Sequence, residues 1–259
     1  MPRLSRIRVY PIKSLDGQDI ESAGVKPGAG LAGDREYQLV DEDGRVVNSK
    51  RFGGKLMPIR ARFDVKTSEG SLTGAGTPIS ATMSDKAENL QGWFARELGF
   101  AVRLERNKEL GFPDDEDASG PTIISEATLE KVVNWFPGGT VEDMRRRFRV
   151  NLEVAGVPAF WEDSLYGGDG DARFFQIGEV RFEAVKPCAR CAVPSMDPYT
   201  GEVKDRSFAK RFARLREETL PPSVEQSRFD HLYRLSVNTL IPKFEGNGLI
   251  SVGDELKVL

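Results

Sequence analysis

The chain has 259 residues, of which 39% are hydrophobic and 30% are charged, and its formal net charge is −3 at pH 7. The slight acidic excess argues against nucleic-acid binding, and no apolar run approaches the roughly 20 residues that a membrane span requires. Two cysteines are too few for a disulfide scaffold, and the N-terminal MPRLSRIRVYPIKS lacks the apolar stretch of a secretory signal, so we expect a soluble cytoplasmic protein.

The first third of the chain has mainly β patterns. RIRVYPI alternates apolar and polar residues, REYQLVDEDGRVVNSK has two apolar runs around the hairpin signal Asp43-Gly44, and PIRARFDVK alternates again. The period then becomes helical in SDKAENLQGWFARELG, for which we predict an N-cap at Ser84 and an end at Gly99.

The remainder of the chain follows an acidic, turn-rich segment. This segment, FPDDEDASGP at residues 112–121, is predicted to be a mobile loop or a domain boundary. After it, SEATLEKVVNWF is predicted to be a helix capped by Ser125, and DRSFAKRFARLREETL a second helix. Four segments read as strands: FRVNLEVAG, RFFQIGEVRFEAV, LYRLSVNTLI and LISVGDELKVL. Strands outnumber helices and do not alternate with them, so the predicted fold class is mainly β (α+β).

One motif is misleading. GAGLAG at residues 28–33 matches the dinucleotide-binding pattern G-x-G-x-x-G, but that pattern must open a helix and needs an acidic residue about 20 positions later. Here a strand pattern follows, and the later neighbourhood is SKRFGG. We expect these glycines to permit a tight turn that directs Asp34 and Arg35.

Both cysteines lie in one C-x-x-C, Cys188 and Cys191. A redox dithiol at a helix start is disfavoured, because Pro194 and Pro198 would each cost such a helix about 3 kcal/mol. A structural zinc site usually takes four Cys or His ligands. The chain has two cysteines and one histidine, His231, so a zinc site is also disfavoured. A Cys–His nucleophilic pair stays open, although His231 reads as a packed or surface residue.

Two interpretations of the pair are left, one functional thiolate or two inert thiols. Buried free cysteine usually behaves as a small hydrophobe, which favours inert thiols. Lys186 and Arg190 flank the pair, however, and positive charge favours a thiolate. The dense turn PSMDPYTGE follows, and functional residues are often held on such loops.

The segment KPCARCAVPSMDPYTGE resembles the molybdenum-binding segment of MOSC-domain proteins, in which Arg-Cys precedes Asp-Pro-x-Thr-Gly. Further resemblances occur in order along the chain: VYPIKSLDG, GLAGDREYQLVDEDGRVVNSKR, IISEATLEKV, FRVNLEVAG, FWEDSL and ISVGDELKVL. Among family members, the chain most resembles the mitochondrial amidoxime-reducing components and their bacterial relatives, which carry an extra N-terminal β-rich module. The resemblance implies a MOSC-type β-barrel with peripheral helices, formed by residues 1–35 and 119–259, and an inserted module at 36–118.

The resemblance also implies a molybdenum–molybdopterin cofactor and a set of residues for it. Cys191 would be the metal ligand, which suits a soft metal, and Cys188 would have no required role. The residues implied to bind the pterin and its phosphate are Lys13, Ser14, Arg35, Ser125, Arg149, Asn151 and Arg190. A last cofactor contact would come from Arg234 or Tyr233, where HLYRLSVN departs from the family pattern. Asp34 and Asp197 would handle protons or fix the loop.

The implied reaction is the two-electron reduction of hydroxylamines, amidoximes or other N-hydroxylated compounds. An iron–sulfur cluster needs several cysteines, so we expect electrons from a separate protein carrying flavin, haem or an iron–sulfur centre. We expect a monomer that binds neither nucleic acid nor membrane. The alternatives are a non-catalytic carrier of the cofactor or of sulfur that uses Cys191, and a metal-free anion-binding protein.

Overall fold

The computed structural model describes residues 1–65, 67–83 and 88–259. The predicted N-cap Ser84 lies outside these residues. The strands are β1 (Arg3–Val9), β2 (Gln18–Ile20), β3 (Ser22–Gly24), β4 (Tyr37–Val40), β5 (Val46–Val47), β6 (Arg60–Phe63), β7 (Glu69–Thr73), β8 (Ile79–Thr82), β9 (Arg103–Arg106), β10 (Ile123–Ser125), β11 (Leu152–Ala155), β12 (Arg173–Ile177), β13 (Val180–Ala189), β14 (Arg234–Leu240), β15 (Leu249–Ser251) and β16 (Leu256–Val258). The α-helices are α1 (Ser49–Leu56), α2 (Glu88–Leu98), α3 (Glu126–Val133), α4 (Val141–Phe148) and α5 (Phe208–Glu218). The fold class is therefore mainly β with peripheral helices, as predicted.

An eight-stranded sheet forms the centre of the molecule. Its strand order is β16-β12-β13-β14-β10-β11-β1-β2, and the pair β10 and β11 is parallel while the others are antiparallel. In β1, Leu4 and Ile7 are fully buried, and they are three positions apart because the register with β11 shifts between Leu4 and Arg6. The inward side chains of the sheet pack together on one face. They pack into one core together with β3 and β15.

The expected barrel is not closed by continuous strand pairing. β2 pairs with positions 7–9 of β1, so only the first residues of β1 are left to meet the C-terminal segment. There an isolated bridge joins Arg3 and Glu255. Backbone hydrogen bonds support it: the Leu4 amide donates to the Asp254 carbonyl at 2.9 Å, the Gly253 amide to the Leu4 carbonyl at 2.7 Å and the Leu256 amide to the Pro2 carbonyl at 3.0 Å. The described strands thus form an open, curved sheet whose ends approach each other without a full ladder.

Two smaller sheets, β5-β4-β9 and β6-β7-β8, lie beside α1 and α2. Helix α2 buries Leu90, Trp93, Phe94 and Leu98 against them, in agreement with the predicted helical spacing. The helix ends at Leu98, and the next residue, Gly99, has a φ of +74°, the left-handed conformation common after helix ends. The domain limits at 35/36 and 118/119 stay a prediction.

Helices α3, α4 and α5 cover the other side of the central sheet around an aromatic core. Ser125 caps α3, as predicted, by accepting a 3.1 Å hydrogen bond from the Ala127 amide. Helix α4 begins with a capping box between Thr140 and Asp143 that the sequence analysis missed. In the described part of the chain, no helix is long and apolar enough to cross a membrane.

Candidate functional site

A cavity of about 490 Å³ opens where the ends of several elements meet. Its wall combines the chain after β1, the turn before β4, the start of α1, the end of α4, the end of β13 with the following loop, β14, and the segment 110–122. Of the predicted site residues, the cavity is lined by Lys13, Ser14, Asp34, Arg35, Arg149, Asn151, Arg190, Cys191 and Arg234. Segments separated by more than two hundred positions therefore supply one site.

Three of these residues have a backbone conformation that is uncommon outside glycine. The φ angles of Ser14, Arg35 and Arg149 are +72°, +49° and +51°. Such conformations cost of order 1 to 3 kcal/mol each and persist only where the surrounding structure enforces them. For Arg149 the reason is local, because it is the left-handed cap at the end of α4. These turns place three polar side chains at the wall of the same cavity.

Arg35 is held by a polar network. Asp34 pairs with its guanidinium and accepts a 2.8 Å hydrogen bond from the Tyr10 amide. The buried Asn151 accepts from Arg35 Nη1 at 3.4 Å and donates to the Arg8 carbonyl at 3.0 Å. Burial alone would lower the pKa of Arg35, but Asp34 and the more distant Asp114 outweigh it and raise that pKa. Arg35 is thus a fixed cation, and Asp34 and Asn151 orient it.

The Arg149 guanidinium faces the Tyr10 ring and lacks an ion-pair partner among the described residues. Its guanidinium lies 4.1 Å from the centre of the Tyr10 ring, and it makes no hydrogen bond or ion pair with any of the described residues. Burial lowers its pKa, and the nearby Arg35 lowers it further. A half-buried, unpaired guanidinium at a cavity wall is destabilising by itself, and an anionic ligand would relieve it.

Lys13 contacts the acidic segment that follows β9. Its ammonium group lies 2.8 Å from Asp114 Oδ1 and donates to the carbonyls of Phe112 and Pro113 at 3.0 and 3.2 Å. Beside it, Lys186 pairs with Asp115 at 2.9 Å. The acidic segment, predicted to be a mobile loop or boundary, is therefore part of the cavity wall.

Other arginines at the cavity serve mainly to hold its frame. Arg190 donates to the carbonyls of Phe148 and Leu235 and to the Ser236 hydroxyl, at 2.5 to 3.1 Å. Arg234 donates to the Pro187 carbonyl at 2.7 Å and pairs with Asp230. These contacts tie β13, β14 and α4 together at the point where the cysteine loop begins.

Cys191 lies in the loop directly after β13 and is exposed, whereas Cys188 is half-buried near the end of that strand. Both sulfur-bearing residues line the cavity. Across the described ranges 1–65, 67–83 and 88–259, no group of three or more His, Cys, Asp or Glu side chains could hold a metal ion. Within the described residues, at most two side chains of these types could therefore contribute to one metal site.

Two predicted residues do not line the cavity. Ser125 is fully buried and caps α3, with its amide bonded to Glu162 at 3.2 Å. Asp197 accepts from the amides of Tyr199 and Thr200 and pairs with Lys204 at 2.8 Å. Although burial opposes the effect, these donors lower the pKa of Asp197 to about 2, so its carboxylate fixes the turn.

The alternative contact at Tyr233 is also outside the cavity wall. Burial is the main reason that the pKa of the Tyr233 phenol is raised, and its hydroxyl has no partner among the described residues. His231 is exposed and its Nδ1 accepts from the Tyr233 amide at 3.2 Å, so of the two predicted environments, packed or surface, it has the second.

Several cavity residues were missed by sequence reasoning. Arg147 lies at the wall and donates to the Pro194 carbonyl at 2.7 Å, which anchors the turn after Cys191. The basic run MRRRFR near the end of α4 was the available signal for it. The sequence placed Lys186 beside the cysteines but gave no sign of its pairing with Asp115, and no local pattern indicated that Asp114 would contact Lys13.

The turn at residues 28–35 fulfils the role predicted for its glycines. Gly28 and Gly33 have φ angles of +72° and +81°, and strand β4 follows instead of a helix. The Asp34 amide donates to the Leu31 carbonyl at 3.1 Å, which closes the turn that presents Asp34 and Arg35 to the cavity. The dinucleotide-binding interpretation is therefore excluded for this segment.

Comparison with known proteins gives two family matches. Residues 1–99 match the MOSC N-terminal beta barrel domain, and residues 122–257 match the MOSC domain. A molybdenum cofactor sulfurase from Caenorhabditis briggsae is 34% identical, with 89% of this chain and 34% of that protein covered. The one from Caenorhabditis elegans is 40% identical over 66% of this chain and 22% of its own length.

The relatives are much longer than this chain, which spans about a third or less of their length. Among solved structures, the YUAD protein from Bacillus subtilis is similar at 14% identity and a TM-score of 0.42, with 100% of this chain and 96% of that one covered. The MOSC match alone spans more than half of the sequence. The chain therefore belongs to the MOSC-domain family.

Proposed function

We propose that this chain binds the molybdenum cofactor in the cavity described above, with Cys191 as the metal ligand, and catalyses the reduction of N-hydroxylated compounds. The observation that carries the binding proposal is the unpaired Arg149 guanidinium beside Arg35, at the wall of a cavity that also contains an exposed thiol. The family membership and the molybdenum cofactor sulfurase name of the relatives support an association with this cofactor.

The residues present fit the chemistry of the group. A phosphate-bearing ligand requires cationic forks and donors, which Arg149, Arg35, Lys13 and Ser14 can supply. A soft metal prefers a thiolate, which Cys191 can supply. When bound, the cofactor would supply the two-electron redox chemistry at its metal.

The protein's own residues would bind and orient the cofactor. Asn151 and Asp34 hold Arg35, and Arg190 fixes the start of the cysteine loop against β14. Both oxygens of Asp34 already accept from donors, which favours the fixing role over proton handling. Ser125 and Asp197 would act through the backbone that they cap.

The reducing electrons would come from a separate protein with a flavin, haem or iron–sulfur centre. The two cysteines of this sequence are fewer than the four thiolates that usually hold an iron–sulfur cluster. The exposed position of Cys191 at the cavity is compatible with access from outside. We propose that the chain acts as a monomer on a small-molecule substrate in the cytoplasm, without nucleic acid or membrane.

The test is metal analysis of the full chain expressed in a host that makes the cofactor. We expect about one molybdenum per wild-type chain, strong loss in Cys191→Ser, and retention in the matched variant Cys188→Ser. Equal metal contents in both variants would contradict the assignment of Cys191. Loaded protein is then assayed for turnover of benzamidoxime with a chemical reductant.

A second candidate function is a carrier of the cofactor or of sulfur. The sulfurase name of the relatives and the exposed Cys191 favour it. Molybdenum that is present without amidoxime turnover, together with a persulfide on Cys191 detected by mass spectrometry, would support this function over the reductase.

A further inference from the structure

The acidic segment 112–121 places two carboxylates among the cations of the cavity. Asp114 pairs with Lys13 at 2.8 Å and approaches Arg35 Nε at 4.0 Å, although these residues are about eighty to a hundred positions apart. Asp115 pairs with Lys186 at 2.9 Å and accepts from Asn238 Nδ2 at 3.0 Å. The segment thus supplies negative charge to a site whose other charges are mainly positive.

The Asp114 contact has the properties of a replaceable partner. Its side chain is 73% exposed, and ion pairs of such exposed groups contribute little to stability. Desolvation at the cavity wall opposes ionisation, but Arg35 and Lys13 outweigh it and hold the pKa of Asp114 below its usual value. The carboxylate is therefore charged, and its contact is weak enough to give way to a stronger anion.

The cations themselves need a negative partner. Without Asp114, Lys13 would retain only the neutral carbonyls of Phe112 and Pro113. A phosphate carries more charge than one carboxylate and can accept from Lys13, Arg35 and the unpaired Arg149 together. The ligand and Asp114 would therefore compete for the same donors.

We propose that Asp114 is an internal stand-in for an anionic ligand, which must displace this carboxylate and move the segment 112–121 away from Lys13 and Arg35. Asp114 then sets a threshold for entry, because weakly charged molecules cannot displace it. The inference rests on the proposed function only in requiring a phosphate-like ligand, and it holds for any metal or none.

The experiment measures binding of inorganic phosphate to the full chain, purified from a host without the molybdenum cofactor, by calorimetry at low ionic strength. Asp114→Asn is compared with wild type and with Asp117→Asn, which makes the same charge change at an exposed residue of the same segment. We expect Asp114→Asn to tighten binding about fivefold, which corresponds to about 1 kcal/mol. Asp117→Asn should change binding less than twofold.

Equal effects of the two variants would overturn the proposal, because they would reduce it to net charge. Absence of phosphate binding in all three proteins would also overturn it. Hydrogen exchange gives a second readout: phosphate should speed exchange of the 112–121 amides in wild type, and protection of these amides would refute the displacement. If the chain loads molybdenum in a host that makes the cofactor but Asp114→Asn leaves phosphate binding unchanged, this inference fails and the proposed function stands. If Asp114→Asn tightens phosphate binding but the chain does not load molybdenum in that host, the proposed function fails and this inference stands.

Discussion

Gly201 joins the turn after Cys191 to helix α1, and its replacement is a sharp test of that contact. Gly201 has a φ of +73°, and a Cβ atom there would lie 2.3 Å from the Gly53 carbonyl carbon and 2.5 Å from the Gly54 nitrogen. Both neighbours are backbone atoms, so no side chain can move aside. Gly201→Ala must therefore strain the turn and separate it from α1.

The expected loss in the free energy of unfolding has two contributions. An alanine in the left-handed region costs roughly 1 to 2 kcal/mol, and forcing apart packed groups adds typically 1 to 3 kcal/mol. Gly138 is the matched control, because its φ is +83° and nothing lies within 4 Å of a Cβ built there. We therefore expect Gly138→Ala to lower the free energy of unfolding by about 1 kcal/mol and Gly201→Ala by about 3 kcal/mol.

The assay is urea denaturation of the full chain followed by tryptophan fluorescence, with both variants compared at one temperature. Gly201→Ala should also reduce the molybdenum content of loaded protein, because the turn carries the chain away from Cys191. Equal losses of stability in the two variants would refute the reasoning, since the strain of the left-handed backbone would then account for the whole effect.

Two further predictions concern charged groups. Arg149→Met should raise the free energy of unfolding by about 1 kcal/mol, because it removes an unpaired cation, and denaturation measures this effect. The same variant should weaken phosphate binding about tenfold, as measured by calorimetry. A loss of stability would contradict the interpretation. Burial, assisted by Asp163, raises the pKa of Glu162 to about 8. This pKa exceeds the ordinary value of 4.5, so folding favours the protonated Glu162 carboxyl. Its contribution to the free energy of unfolding is therefore fully present below pH 4.5 and is lost as the pH rises through 8. Glu162→Gln should therefore lose less stability than wild type between pH 6 and pH 9 in urea denaturation, and parallel pH profiles would contradict this assignment.

The sequence predicted those parts of the fold that depend on local patterns. The spacing of Leu90, Trp93, Phe94 and Leu98 identified α2, and local strand patterns identified most strands of the central sheet. The three-residue strands β2 and β10 were not predicted. Helix α1 was not predicted, because its sequence SKRFGGKL contains two glycines and its backbone is kinked at Phe52. Helix propensity is low for such a segment, and its packing against neighbouring elements maintains it.

The prediction of the candidate site was limited in a different way. Motif resemblance predicted Arg35, Arg149 and Cys191 as site residues, and all three line the cavity. The motifs could not distinguish residues that face the cavity from residues that support it. Ser125 belongs to a motif and yet caps a helix. The pairing of Lys13 with Asp114 depends on a long-range contact that no local pattern encodes.

The composition of the cavity wall from residues 13 to 238 has a consequence for biosynthesis. Strand β14, which supplies Arg234 and Asn238, comes late in the chain, and β13 pairs with it beside the cysteines. A growing chain on the ribosome therefore lacks a wall of the site until β14 has emerged, even if the first strands have already folded. If the chain binds the cofactor as we propose, its insertion would then be post-translational, and truncation or proteolytic loss of β14 would abolish loading while leaving Cys191 in place.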